Sequence, residues 1–285
     1  MPKCVFVTGA SSGIGLAILN DLAGKGFRVV GSTRSLLRNC NLVQDLKAQY
    51  GDCAQFVEMD VDDDVSVEGG VKKAYEFLGD IDFLICNTGR GSLGSLEEHP
   101  LEEGRKLFET NVFGTLRVLK KIIPNMRKRR SGTIIFVGSI GGLVGIPFQS
   151  HYSATKFAIE AYAECLRQEL RSFGIKVSVV RPGDIKTKFN ESTKKYESPN
   201  SPYANNLSKF WESTLEIEKH APEASFVSRK IGKIIKKATI KEGYVVADWK
   251  TLLAMKINRL IPQNVKEKLV RRYYGIDGDD KPEVC

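Results

Sequence analysis

The chain has 285 residues, 27% of them charged and 42% hydrophobic, with 26 Gly, 10 Pro and a formal net charge of +9. This composition excludes a wholly disordered chain, a collagen and a long coiled coil, and the length suffices for one large core. No apolar run approaches the roughly 18 residues of a membrane span, and Met-Pro-Lys leads straight into Cys4-Val5-Phe6-Val7, so neither a transmembrane helix nor a secretory signal is expected. The cysteines (Cys4, Cys40, Cys53, Cys86, Cys165 and Cys285) form no CxxC pair and no Cys/His cluster with metal spacing. No disulfide framework and no metal site are therefore expected, and the location expected is cytoplasmic.

The predicted elements alternate along the chain. An apolar strand over 4–8 runs into Thr8-Gly9-Ala10-Ser11-Ser12-Gly13-Ile14-Gly15 and then an amphipathic helix over 13–25. Glycines there let the backbone approach a pyrophosphate, and a helix amino terminus offers unpaired N–H groups. The second strand, 28–33, ends at Arg34 with no acid beside it. An acid at that point reads the ribose 2′-hydroxyl of NAD; a guanidinium forks onto the 2′-phosphate of NADP. NADP(H) is the cofactor expected, with NAD(H) less favoured but not barred.

A helix over 42–50, a strand over 54–59, a helix over 65–78 and a strand over 81–86 follow. A long fourth helix is predicted over 101–129, with Asn111 inside it, where an asparagine is normally a cost or a kink. The strand over 133–139 ends at Ser139, and an apolar segment containing Leu143 and Phe148 comes next. That segment reads either as the wall of a pocket for a hydrophobic substrate or as ordinary loop packing. In the helix over 150–173, Tyr152 and Lys156 share a face at i, i+4, about 5–6 Å apart at Cβ. An ammonium there favours the phenolate and lowers the tyrosine pKa from about 10, making Tyr152 a usable general acid/base. A last crossover strand spans 176–181, and 244–247 reads as a seventh. The whole is α/β, a doubly wound parallel sheet of about seven strands.

Two segments break the alternation. Residues 184–223 are polar, carry Ser198-Pro199-Asn200-Ser201-Pro202 and intersperse Phe189, Tyr203, Phe210 and Trp211. They read as a lid with its own short helices, beyond the strand carboxyl ends where ligands of open α/β sheets bind. His220 falls in this lid and reads as solvated or as touching the far end of a substrate; His99 and His151 show no partner. Residues 229–275 hold 13 Lys+Arg against 3 Asp+Glu, while the last ten carry one Lys and four acids, so the first 228 residues are near neutral. The working body is thus expected at 1–248, with a basic amphipathic extension at 249–285. Its apolar face either closes the cleft or a subunit contact, the reading preferred, or lies on an anionic membrane through 249–275. No motif supports nucleic-acid binding.

Taken together, the motifs resemble the short-chain dehydrogenase/reductase family over about residues 3–190, in a Rossmann-type fold. The family's glycine motif matches residues 8–15, its adenine-contacting position Asp60-Val61, and its NNAG motif Cys86-Asn87-Thr88-Gly89, with departures at the first and third positions. The motif after the sixth strand matches Pro182-Gly183-Asp184-Ile185-Lys186-Thr187, and the catalytic tetrad falls on Asn111, Ser139, Tyr152 and Lys156. The resemblance implies hydride transfer between NADP(H) and a carbonyl or alcohol carbon. Ser139 would bond the carbonyl oxygen and Tyr152 would protonate it. Lys156 would bond the nicotinamide ribose, Asn111 would hold a water, and Ile185 and Thr187 would face the carboxamide. Cofactor contacts are expected from Gly9, Ser11, Ser12, Gly13, Ile14, Gly15, Arg34, Asp60, Val61, Asn87, Gly89, Pro182 and Gly183. The segment after Ser139 resembles the hydroxysteroid and retinol dehydrogenase branch, which implies a steroid, retinoid or keto-lipid substrate and a homo-oligomer. The rival reading is a catalytically silent NADP(H)-binding sensor or membrane-associated scaffold on the same fold; an intact Ser139/Tyr152/Lys156 set argues against it.

Overall fold

The computed structural model describes residues 2–258 and 260–276; Cys285 and the rest of the expected extension beyond 276 lie outside the described residues. In chain order the first half comprises β1 (Cys4–Val7), α1 (Gly13–Ala23), β2 (Arg28–Thr33), α2 (Cys40–Tyr50), β3 (Ala54–Glu58), α3 (Asp64–Leu78), β4 (Phe83–Cys86) and a two-residue β5 (Ser92–Leu93). Then come α4 (Leu101–Phe108), α5 (Gly114–Arg129), β6 (Gly132–Val137), α6 (Ser150–Leu170) and β7 (Ile175–Pro182). The rest is β8 (Lys194–Lys195), α7 (Ala204–His220), α8 (Ala224–Ile234), β9 (Gly243–Val246), α9 (Trp249–Ile257) and α10 (Gln263–Tyr273).

Seven strands form one sheet in the order β3-β2-β1-β4-β6-β7-β9, and every neighbouring pair is parallel. Alternation along each strand explains why both faces are covered. Cys4 and Phe6 of β1, Leu84 of β4 and Ile134 and Phe136 of β6 point into one core, filled by Val67 and Val71 of α3, Ile122 of α5 and Ile159 of α6. Val5 and Val7, Ile85, and Ile135 and Val137 point the other way, into a core filled by Ile18, Leu19 and Leu22 of α1 and Val227 and Ile231 of α8. The parallel arrangement brings the carboxyl ends of all these strands to one edge. There the order reverses between β1 and β4, opening a crevice.

The expected long fourth helix is interrupted. α4 and α5 are joined by a π-helical turn, Glu109–Phe113, in which Thr110, Asn111 and Val112 are buried. The extra backbone group of a π turn is tolerated where side chains hold it. Thr115 does so here, its Oγ1 donating to the Asn111 carbonyl at 3.0 Å, while the Asn111 side chain ties the turn to Arg90 and Thr155. The lid segment also differs from expectation: in place of short helices its main element is one 17-residue helix, α7, on which Leu207, Phe210 and Thr214 make a single buried stripe. Leu207 and Phe210 pack with Leu93 and Tyr274 in a third core, so the carboxyl end of α10 meets the lid.

Candidate active site

The crevice is stitched by the turn after β1. Thr8 Oγ1 accepts the backbone N–H groups of Asn87 (3.0 Å) and Thr88 (3.1 Å), and Asn87 Nδ2 donates to the carbonyls of Thr8 (3.1 Å) and Gly9 (2.9 Å). Gly9 has φ +62°, and Gly15 has no room for a side chain: a Cβ there would lie 2.3 Å from the Gly9 carbonyl oxygen and 2.5 Å from Asn87 Nδ2. Thr88, one of the motif departures, packs against Gly9, whose own Cβ would meet its hydroxyl at 2.9 Å. Ser12 caps α1 with extended backbone but no side-chain bond. The N–H groups of the first helical turn, around Ser11, Ser12, Gly13 and Ile14, therefore face the crevice without a side-chain cap.

The other predicted cofactor residues lie along the same strand edge. Arg34 is exposed just beyond β2. Asp60 is tied into the turn after β3, its N–H donating to Ser66 Oγ at 2.9 Å and its Oδ1 accepting from Asp62 N at 3.1 Å, while Val61 is buried. Beyond β7, Pro182 is buried and Gly183 and Ile185 are half-buried. Thr187 reaches back to the glycine turn, 3.6 Å from where a Gly13 Cβ would stand.

Ser139, Tyr152, Lys156 and Asn111 meet at the centre of this edge. The Ser139 hydroxyl is hydrogen-bonded to the Tyr152 phenol and also accepts from Gly141 N at 3.0 Å. Lys156 Nζ stands 5.6 Å from the Tyr152 ring centroid and donates to the Val137 carbonyl at 3.2 Å. Gly89 completes the group: a Cβ on it would be 3.5 Å from Asn111 Oδ1 and 3.7 Å from Lys156 Nζ.

The expected fall in the Tyr152 pKa is not found. Burial pushes the phenol above its ordinary value; the bond from Ser139 pulls it down, and Asp184 raises it further. Loss of water dominates at Tyr152, and Lys156 is desolvated too: burial pushes it down to about 8, partly offset by Glu160. Glu160 is itself held by Arg181 through two bonds of 2.7 Å.

The Lys156 shift predicts a pH-dependent stability. Between pH 8 and the ordinary lysine value of 10.5, the unfolded chain binds more protons than the folded one, so this group's contribution to stability rises with pH across that window. Below pH 8 the folded protein bears the full cost of a buried cation. Lys156→Met should therefore gain most in melting temperature, relative to the parent without cofactor, at pH 7, with the gain shrinking toward pH 10. A difference independent of pH would contradict the assignment.

Several contributors were invisible in the sequence. Asn111 Oδ1 accepts from Arg90 N at 2.8 Å, and its Nδ2 donates to Arg90 O (3.0 Å) and Thr155 Oγ1 (3.1 Å). Thr155 Oγ1 in turn donates to the Tyr152 carbonyl at 2.7 Å. Behind Asn111, the Arg90 guanidinium pairs with buried Glu103, which also bonds Tyr196. His99 and His151 are not partnerless: the rings meet edge-on at 4.7 Å, His99 lies 4.7 Å from the Tyr196 ring, and its Nε2 is 2.7 Å from Ser92 Oγ. Burial lowers the His99 pKa. His220 is exposed and pairs with Glu216 at 3.2 Å, which matches the solvated reading.

Aromatic and aliphatic groups surround the polar centre. Phe189, from the lid, covers Tyr152 at 5.7 Å between rings. A cleft of 1130 Å³ is lined by Leu143, Val144, Ile146, Pro147, Phe148 and Phe157 together with Val270 and Ile276. Ser139 and Tyr152 do not line it, but Ile146 joins it to them, since a Cβ on Gly141 would lie 3.1 Å from Ile146 Cδ1, 3.4 Å from Ser139 Oγ and 3.5 Å from Tyr152 Cε1. Phe148 adopts φ +59°, left-handed for a bulky residue, and is held there by Gly94 N bonding its carbonyl (2.9 Å) and by Phe210 at 5.7 Å. α10 closes over the end of this region: Tyr274 stacks on Phe210 at 4.5 Å, and the Tyr273 hydroxyl donates to Asp184 at 2.7 Å. Neither helix has a fully buried residue, but α10 is anchored, with Val270 packed half-buried against the third core and Tyr274, the residue after the helix, buried in it; no residue of α9 joins any of the three cores.

The doubly wound sheet, the glycine turn and the Ser-Tyr-Lys cluster define a dinucleotide-fold oxidoreductase. The chain belongs to the short chain dehydrogenase family, whose model matches residues 3–198. It is 34% identical to the 3-ketodihydrosphingosine reductase of Bacteroides thetaiotaomicron over 96% of this chain and 99% of that one. It is 38% identical to the estradiol 17-beta-dehydrogenase 1 of Rattus norvegicus over 66% of this chain, a match spanning 55% of that enzyme's length. The solved structure of a short-chain dehydrogenase from Streptomyces avermitilis superposes with a TM-score of 0.80 at 29% identity, covering 98% of each chain.

Proposed function

We propose that the protein is an NADP(H)-dependent reductase of an apolar carbonyl compound, with a long-chain keto-lipid as the first candidate class and steroid or retinoid carbonyls next. The observation that carries the reading is the hydrogen-bonded Ser139–Tyr152 pair with buried Lys156 behind it, set beside an apolar cleft. The keto-lipid is preferred because the keto-sphingoid relative is matched through the lid and tail, whereas the steroid relative is matched over two thirds of this chain.

The residues fit a nicotinamide dinucleotide. The glycine turn is bare where a side chain would obstruct, and the start of α1 presents N–H donors to a pyrophosphate. Asp60 and Val61 would flank the adenine; Gly89, Pro182, Gly183, Ile185 and Thr187 would border the nicotinamide end. Once bound, that cofactor supplies the hydride.

Ser139 donates to the substrate oxygen and fixes its position. Tyr152 gives its proton to the same oxygen, a task suited to a phenol kept neutral by burial. Lys156 carries its charge near working pH, favours the phenolate left behind, and has further N–H donors for a ribose hydroxyl. The Asn111 side chain already spends both its donors on Arg90 and Thr155. Water anchoring therefore falls to its remaining acceptor capacity at Oδ1 and the backbone carbonyl. Exposed Leu101, Phe113, Phe157 and Tyr162 on α4, the π turn and α6 supply an apolar face for a homo-oligomer.

Cofactor choice is tested at Arg34. Arg34→Ala should weaken NADPH binding by about 10-fold or more, since charge-assisted bonds contribute about 1.5–3 kcal/mol, while NADH changes little. Equal losses would remove the phosphate-clamp assignment.

A further inference from the structure

We infer that α9 and the turn after it form a docking surface for an anionic lipid bilayer. α9 reads Trp-Lys-Thr-Leu-Leu-Ala-Met-Lys-Ile, mostly apolar, yet none of its residues is buried. A helix apolar on most sides is normally covered. Here Trp249, Leu253 and Ile257 recur at i, i+4 and i+8 with exposures of 70%, 55% and 43%, and Leu260 follows at 83%. The helix is firmly begun rather than frayed: Asp248 accepts from the N–H groups of Lys250 (2.8 Å) and Thr251 (3.2 Å) and from the Thr251 hydroxyl (2.6 Å).

Charge selects the occupant. Residues 229–275 carry 13 Lys+Arg against 3 Asp+Glu; exposed Lys250 and Lys256 lie on α9 itself. Two copies meeting through this surface would bring like charges together. A nucleic acid would match the charge but leave Leu253, Ile257 and Leu260 without an apolar medium. An anionic bilayer satisfies both, with apolar side chains among the acyl chains and lysines at the phosphates. The surface adjoins the strand edge of the site, since Thr251 Cγ2 would lie 3.7 Å from a Cβ on Gly183. The binding inference does not depend on what that site turns over.

The test is flotation of the full chain with vesicles of phosphatidylcholine containing phosphatidylglycerol, against pure phosphatidylcholine. Because the four apolar residues are exposed, Leu253→Ser/Leu260→Ser should keep the parent melting temperature and circular dichroism. The inference expects flotation only with the anionic vesicles, falling at least 10-fold in the double variant and declining as salt rises. In a Trp211→Phe background, leaving Trp249 as the sole tryptophan, its emission should shift to the blue on binding. No flotation at low salt, flotation unaffected by the two serines, or a vesicle-free dimer abolished by them would each overturn it. So would duplex DNA binding tightly to the parent and the double variant alike while vesicles bind neither.

Discussion

Tyr152→Phe should reduce kcat by about 10²–10⁴, the range for removing a positioned acid, while leaving the cofactor dissociation constant within about threefold. The substitution removes one oxygen and keeps the ring, so contact with Phe189 at 5.7 Å and with Lys156 persists. Ser139 loses its phenol partner but still accepts from Gly141 N, and the local backbone has no reason to move. Single-turnover reduction and cofactor titration by fluorescence quenching separate the two effects. Retained turnover would show that another group delivers the proton. Loss of cofactor binding together with turnover would show that Tyr152 acts by holding the cofactor instead.

Gly15→Ala should weaken NADPH and NADH alike, unlike Arg34→Ala, because it distorts the turn that receives the pyrophosphate common to both. The added methyl would stand 2.3 Å from the Gly9 carbonyl oxygen and 2.5 Å from Asn87 Nδ2, where neither neighbour is a flexible side-chain end free to give way. Relief requires α1 to draw back or the Asn87 bond to Gly9 (2.9 Å) to break. Overpacking of this kind costs about 1–3 kcal/mol; borne by the turn that receives the pyrophosphate, it corresponds to a loss of about 5–150-fold in affinity. The melting temperature of the cofactor-free protein should fall as well, because the same turn joins β1 to β4. Unchanged affinity would mean that the cofactor is not held at this turn.

The sheet was legible because its signal is local. Apolar runs such as residues 133–137 have to be strands buried on both faces, and their alternation with amphipathic helices leaves a parallel sheet as the natural arrangement. Ser139, Tyr152 and Lys156 were legible because a strand end and an i, i+4 pair constrain where side chains point. The environment of Tyr152 was not: the lid segment brings the Phe189 ring against the phenol and the Asp184 charge near it, and no spacing rule encodes that enclosure. The π turn at Asn111 was hidden for a similar reason. Its stabilising partners, Arg90 and Thr155, lie 21 and 44 residues away. The tail was legible only in part: its composition announced an amphipathic pair, but only the fold shows that Tyr274, just after α10, turns inward while α9 leaves Trp249 in solvent.

The most direct measurement is NADPH consumption with 3-ketodihydrosphingosine, compared with short-chain ketones of the same reacting group. At about 0.8 kcal/mol per buried CH₂, a chain that buries five more methylenes in the cleft gains about 4 kcal/mol, roughly 10³ in kcat/KM. A preference of that order for the long chain is expected, diminished when Leu143 or Phe148 is replaced by Ser. Equal kcat/KM for long and short ketones, or turnover confined to small polar carbonyls, would contradict it.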